Sequence, residues 1–279
     1  MKSITRSVYG AALQTSEYLG LPHVFLPHST LNERFNINAA MQPADTEIPR
    51  IKYACIGVGG HRVVMGANNI PLNKPIQHLP RHSGLYTPLP FVLRPLTSDL
   101  TPQQRAKYRL RNVVTINGVV YAAYWLKVLD LSGSVVESDY YTVTNGVTTS
   151  TTFAPNSNDL NPTPPDLSST GVVSTSGDYI AASSKVPFEM NADDIIELGN
   201  VANIMYQDKD FAIISEIGLC AGVDKVVTGD FNGVQASYTE AIGVQIANFV
   251  CTYLPTQYLD NDLSLEFDVG SVEPMLTLS

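Results

Sequence analysis

The sequence predicts an α+β fold built mainly of antiparallel β structure, with a few short helices and an extended N-terminal arm. Three observations lead there. Asn117-Gly118 and Asn145-Gly146 each sit between runs rich in Val, Tyr and Thr, the composition that a two-residue type I′ hairpin turn requires. The helical patterns are short and carry their own start signals. Residues 1–50 hold Pro22, Pro27, Pro43 and Pro49 with little alternation, and each proline removes a backbone donor and pushes its predecessor toward extended geometry. With 279 residues, 44% of them apolar, the chain can bury a substantial core.

Taken in order, residues 7–19 fit a short helix and the rest of 1–50 reads as an arm. Its Leu21, Phe25, Leu26 and Phe35 are too apolar for a solvated tail, so they are candidates for contact with a neighbouring chain or for cover over this chain's own core. IKYACIGVGGHRVVMG, 51–66, reads as a strand followed by a glycine turn. Prolines at 71, 75, 80, 88, 90 and 95 argue for an ordered connection without regular structure. TPQQRAKYRLR opens with Thr101 as cap and Pro102 at the first helical position.

The two Asn-Gly hairpins then make a β-meander, which defines a β-rich region over 51–153. Residues 154–178, rich in Pro, Ser, Thr and Asn, read as a linker or long loop, and 179–279 as an α+β C-terminal region. There, Asn191 caps a helix through 192–204 with Asp193 and Asp194 in its first turn. FAIISEIGLCAGV reads as a buried strand. TEAIGVQIANFVCTYL fits helical spacing at Ile242, Ile246, Phe249, Val250, Tyr253 and Leu254 but alternates at Ile242, Val244 and Ile246; its length favours a helix. LSLEFDVG alternates as a terminal strand.

Charge is sparse and polarised. Charged residues make up 15% and the net charge is −9. Residues 50–127 hold 11 basic groups against Asp99 alone, whereas 128–279 hold Lys185, Lys209 and Lys225 against 21 acids. A basic middle and an acidic end can neutralise each other inside one fold or meet complementary faces of other subunits. The densest basic run is Arg105, Lys107, Arg109 and Arg111. On a helix these spread around the circumference; in an extended chain they share one face able to grip phosphates or a neighbour's carboxylates. The run lacks interleaved stacking aromatics and the net charge is negative, so protein acids are its expected partners and nucleic acid is not.

The chemistry-bearing motifs are weak. Gly57-Val58-Gly59-Gly60 follows a strand, but Arg62 stands where a dinucleotide fingerprint needs its third glycine, and no helix opens after it. His78 and His82 have the spacing of two ligands on one helix face, yet Leu79-Pro80 between them spoils that helix; hydrogen-bonded histidines are expected there, and no metal at His61, His78 or His82. Cys55, Cys220 and Cys251 lie in apolar contexts where a thiol acts as a small hydrophobe, and their odd, low count fits a reducing compartment. No apolar run reaches the ~18 residues of a membrane span, and the start of the chain lacks a secretory pattern. No catalytic, cofactor or metal site is therefore expected.

The segments YGAALQTSEYLGLPHVFLPHSTLNERFNIN, ACIGVGGHR with YTPLPFVLRPL, YRLRNVVTINGVVYAAYWLKVLDLS, SEIGLCAGVD, YTEAIGVQIANFV and FDVGSVEPM together resemble uncharacterised structural proteins of tailed bacteriophages. The resemblance implies a non-enzymatic virion subunit of the baseplate or of the tail and neck, assembled in the host cytoplasm, a homo-oligomer within a larger complex of virion structural proteins. It brings no active-site residues. Two other readings are a carbohydrate-binding or carbohydrate-degrading tail protein, which would need exposed aromatics beside carboxylates, and a cytosolic enzyme of unrecognised fold.

Overall fold

A computed structural model describes residues 3–164, 173–231, 234–256 and 262–278. The chain opens with β1 (Ser3–Arg6), α1 (Val8–Leu19) and α2 (Leu31–Phe35). There follow β2 (Arg50–Gly57), β3 (His61–Met65), β4 (Pro71–Pro75), β5 (Pro88–Leu89) and β6 (Val92–Pro95). After α3 (Pro102–Arg105) come β7 (Tyr108–Ile116), β8 (Val119–Val128), β9 (Glu137–Thr144) and β10 (Val147–Thr152). The chain continues through α4 (Ser157–Leu160), β11 (Val173–Met190), α5 (Ala192–Tyr206), β12 (Ile213–Phe231), β13 (Val234–Pro255) and β14 (Leu263–Leu278). The fold is α+β, and every strand pairing is antiparallel among the described residues.

Two compact units divide the chain, and both are discontinuous. The first comprises Met1–Leu129 with Glu189–Ser264, the second Asp130–Phe188 with Leu265–Ser279. The boundaries read from composition, at 50, 153 and 178, fall inside these units, because strands far apart in sequence share a sheet. The segment read as a linker, 154–178, is not a single loop either: α4 lies at its start and β11 begins at Val173, while 165–172 fall outside the described residues.

In the first unit the main path of an eight-stranded sheet runs β1-β13-β12-β2-β8-β6, with β5 added to β2 and β7 to β8. Its axis is the long hairpin of β12 and β13, paired from Ile213↔Pro255 to Phe231↔Val234 with bulges at three points. Here the helix expected over TEAIGVQIANFVCTYL is corrected to a strand. Ala241 to Ala247 are buried without a break, because β13 lies between β1 and β12 and both its faces are covered. A strand buried on both sides reads as a continuous apolar run, from which helical spacing can be picked out by chance. The connection over 71–96 is likewise corrected: Pro71, Pro75, Pro88 and Pro95 stand at the ends of the short strands β4, β5 and β6, while Pro80 and Pro90 lie between strands, and strand ends tolerate the missing donor.

Both hairpin turns form as the dipeptides dictate. Asn117 and Gly118 have φ of 50° and 79°, Asn145 and Gly146 of 52° and 78°, the paired positive values of a type I′ turn. Short helices are fixed by local caps: Ser7 caps α1, and Thr30, Thr101 and Asn191 close capping boxes with Glu33, Gln104 and Asp194. Asp194 also accepts the Tyr108 hydroxyl at 2.7 Å and pairs with Lys127, which fastens α5 to β7 and β8.

The N-terminal arm is largely part of the first unit. Leu31 and Ile37 join Tyr53, Leu110, Leu126, Val244, Ile246 and Phe249 in the core. The buried Asn32 donates to the carbonyls of Ile37 and Ala241 and accepts from the Val244 amide at 2.9 Å. This side chain completes the edge bonding of β13 where its backbone bulges, so α2 is fastened to the sheet as firmly as a strand would be. The second unit holds a four-stranded sheet, β10-β9-β11-β14, in which Tyr141 of β9 stacks on its cross-strand partner Tyr179 of β11 with ring centroids 4.7 Å apart.

Candidate functional site

The first unit carries three features that could do work: a buried acid–imidazole chain, the basic run, and an exposed apolar segment. The first grows from the glycine turn after β2. Glu216 of β12 is fully buried, and its carboxylate accepts the amides of Gly59 at 2.9 Å, Tyr86 at 2.8 Å and Thr87 at 3.0 Å. The turn must pass close to β12 to do this. A Cβ on Gly60 would stand 2.3 Å from the Ser215 carbonyl oxygen, so the glycine serves close backbone approach.

His78 completes the set, with Nε2 2.8 Å from Glu216 Oε2 and its ring stacked between Phe249 and Tyr86 at centroid distances of 4.1 and 4.2 Å. Its Nδ1 lies 3.1 Å from His82 Nδ1, which also accepts the Leu79 amide. Glu216 and His82 Nδ1 thus flank the two ring nitrogens of His78. Burial alone would push the Glu216 carboxyl up, but the hydrogen bonds from His78, Thr87 and Tyr86 outweigh it and hold the group below the ordinary carboxylate value. Burial first, then the charges of His78 and Arg81, push His82 down.

Pro80 does keep residues 78–82 out of a helix, yet the irregular chain brings the two imidazoles together all the same. His61 stands apart on β3, edge-on to Tyr253. Among the described residues no cluster has the geometry of a metal site. Cys55, Cys220 and Cys251 are buried and free, with burial raising the Cys251 thiol to about 11. The one sequence signal for this cluster was Glu216 itself, the only charge within the apolar run of β12. Nothing local announced that His78 would be its partner.

The basic run does not form one stripe. Arg105 ends α3 and lies buried with its guanidinium carbon 3.4 Å over the Tyr238 ring, and Lys107 is exposed in the turn that follows. Arg109 is buried, donating to Asp224 Oδ1 at 2.8 Å and to the carbonyls of Ala106 and Tyr108. Arg111 donates through two nitrogens to Asp99. Elsewhere in this unit Arg94 pairs with Glu197, Lys127 with Asp194 and Lys225 with Glu47. A helix end, a turn and a strand replace the single extended geometry that would have aligned the four side chains.

The four apolar candidates of the arm separate into two pairs. Phe35 stacks on Trp125 at 4.2 Å, and Phe25 is half-buried against Gly243 of β13, so both serve this chain's own core. Leu21 and Leu26 are 58% and 56% exposed, within a stretch where Tyr18 is 90%, Leu19 58% and Val24 71% exposed. Five large apolar side chains within nine residues form the most concentrated exposed hydrophobic segment among the described residues. On the ribbon of β3 and β4, Val63, Met65, Ile70 and Leu72 are exposed as well.

A family model matches residues 1–279, that of a family of unknown function, DUF7208. No curated protein and no solved structure matches the chain.

Proposed function

The chain belongs to DUF7208 over its whole length, and from that premise we propose that it is a non-enzymatic structural subunit of a tailed-bacteriophage virion, in the baseplate or the tail and neck, that holds neighbouring subunits together. The observation that carries the reading is the exposed apolar stretch from Tyr18 to Leu26. Isolated apolar side chains on a surface need no explanation, but a contiguous patch marks a contact with another molecule. The stretch is held at both ends by the α1 cap and by the Ser29 and Gln245 hydrogen bond, so it is presented in one place. The β3–β4 ribbon supports the same reading, since a two-stranded ribbon is marginal in water by itself and gains from being covered. The virion assignment rests on the sequence resemblance to phage structural proteins, and the occupant proposed for the patch is a neighbouring virion subunit.

The test substitutes Tyr18, Leu21, Val24 and Leu26 with Ser together. The variant is expected to keep the thermal midpoint of the parent and to lose self-association in light scattering and incorporation into particles, the latter read by mass spectrometry of purified virions. A parent chain that stays monomeric and is absent from particles overturns the reading.

A further inference from the structure

We propose that Arg105, lying over the face of Tyr238, forms a binding pocket for a small oxyanion, a phosphate or carboxylate group. A cavity of about 240 Å³ is lined by these residues with Arg109. Arg109 is neutralised by Asp224, but Arg105 differs from every other buried base of this unit. It is only 7% exposed, its Nη2 has no hydrogen-bond partner, and no ion pair among the described residues includes it. Its guanidinium lies over the face of Tyr238, 3.4 Å from the ring centroid.

A buried guanidinium with neither a carboxylate nor a full set of acceptors is an unfavourable arrangement. Glu240, whose carboxyl feels the charge of Arg105, does not relieve it. Both Glu240 oxygens are taken by the amides of Leu110, Arg111 and Ala241, and burial keeps that carboxyl above its ordinary value despite the pull of Arg105. What relieves Arg105 is an anion brought from outside. A guanidinium offers donors in a fixed planar fork that matches a carboxylate or phosphate. The space holds a single such group with a few attached atoms, and it is a pocket, unlike the long basic groove that tracks a nucleic-acid backbone. The inference is independent of the assembly reading, since it concerns a different part of the unit.

The experiment is thermal unfolding of the full chain against sodium phosphate and, separately, sodium acetate, with ionic strength held constant by sodium chloride. A saturable rise is expected with at least one anion, roughly 5–10 °C at about 100 times the half-saturating concentration. The anion that saturates at lower concentration identifies the group. Arg105→Met keeps the stem against Tyr238 and is expected to abolish the response. If neither anion gives a saturable rise the proposal is overturned, and so it is if the rise survives in Arg105→Met.

Discussion

Glu216 and Glu240 sit on adjacent strands, both buried, and each accepts three backbone amides. They differ in one partner. Glu216 has the His78 imidazole at 2.8 Å, and its carboxyl is held below the ordinary value against the opposing effect of burial. Among the described residues Glu240 has no cation in hydrogen-bond contact, burial wins, and its carboxyl is raised. Three amides are therefore insufficient to offset the desolvation of a carboxylate in this sheet, and three amides with an imidazole suffice. The first acid closes the glycine turn, the Tyr86-Thr87 segment and His78 onto β12; the second ties β7 to β13 at Leu110, where the backbone has a φ of 53°.

The sharpest way to break this contrast is Glu216→Leu, which leaves three amides and an imidazole buried without their acceptor. It is expected to lower stability by about 3–5 kcal/mol, measured by urea unfolding. Glu240→Gln keeps an acceptor and removes an unfavourable charge, so its change is expected to stay within about 1 kcal/mol of the parent, in either direction. An effect as large as that of Glu216→Leu would show that Glu240 is paired after all.

Acid separates the two by sign. The Glu216 carboxyl is lower in the folded chain than its ordinary 4.5, so its contribution is complete above pH 4.5 and is lost as pH falls through the folded value. The Glu240 carboxyl is higher than 4.5 in the folded chain, so its contribution is complete below pH 4.5 and is lost as pH rises through the folded value. In unfolding measured across pH, the deficit of Glu216→Gln against the parent is expected to close on acidification, while any advantage of Glu240→Gln shrinks. Two difference curves bending in the same direction would refute the comparison. The smallest effect is expected from Leu21→Ser, at an exposed position outside both networks, within about 0.5 kcal/mol of the parent.

Local chemistry was legible wherever a few neighbouring residues suffice to define a conformation. The two Asn-Gly turns, the start of α5 at Asn191, the Thr101-Pro102 start of α3 and the α+β class all follow from preferences that act within one turn of chain. Longer reach is where reading failed. β13 passed for a helix because burial on both faces erases the alternation that betrays a strand. For Phe35 the neighbour and the chain's own core were both open, and only the fold places Trp125 on it; for Arg105 to Arg111 the helix and the stripe were both open, and only the fold ends α3 within the run.

By itself, then, the sequence determined the hairpins, the caps, the surplus of apolar residues in the first 50 positions and the separation of base from acid along the chain. Tertiary structure alone decided which apolar residues of that surplus are covered and which stay exposed between Tyr18 and Leu26. It alone chose His78 as the partner of Glu216 and left Arg105 without an acid. The physical reason is that turn and cap energies depend on residues a few positions apart, whereas a buried charge is stabilised by whatever group the packing brings to it, here across 138 positions between His78 and Glu216.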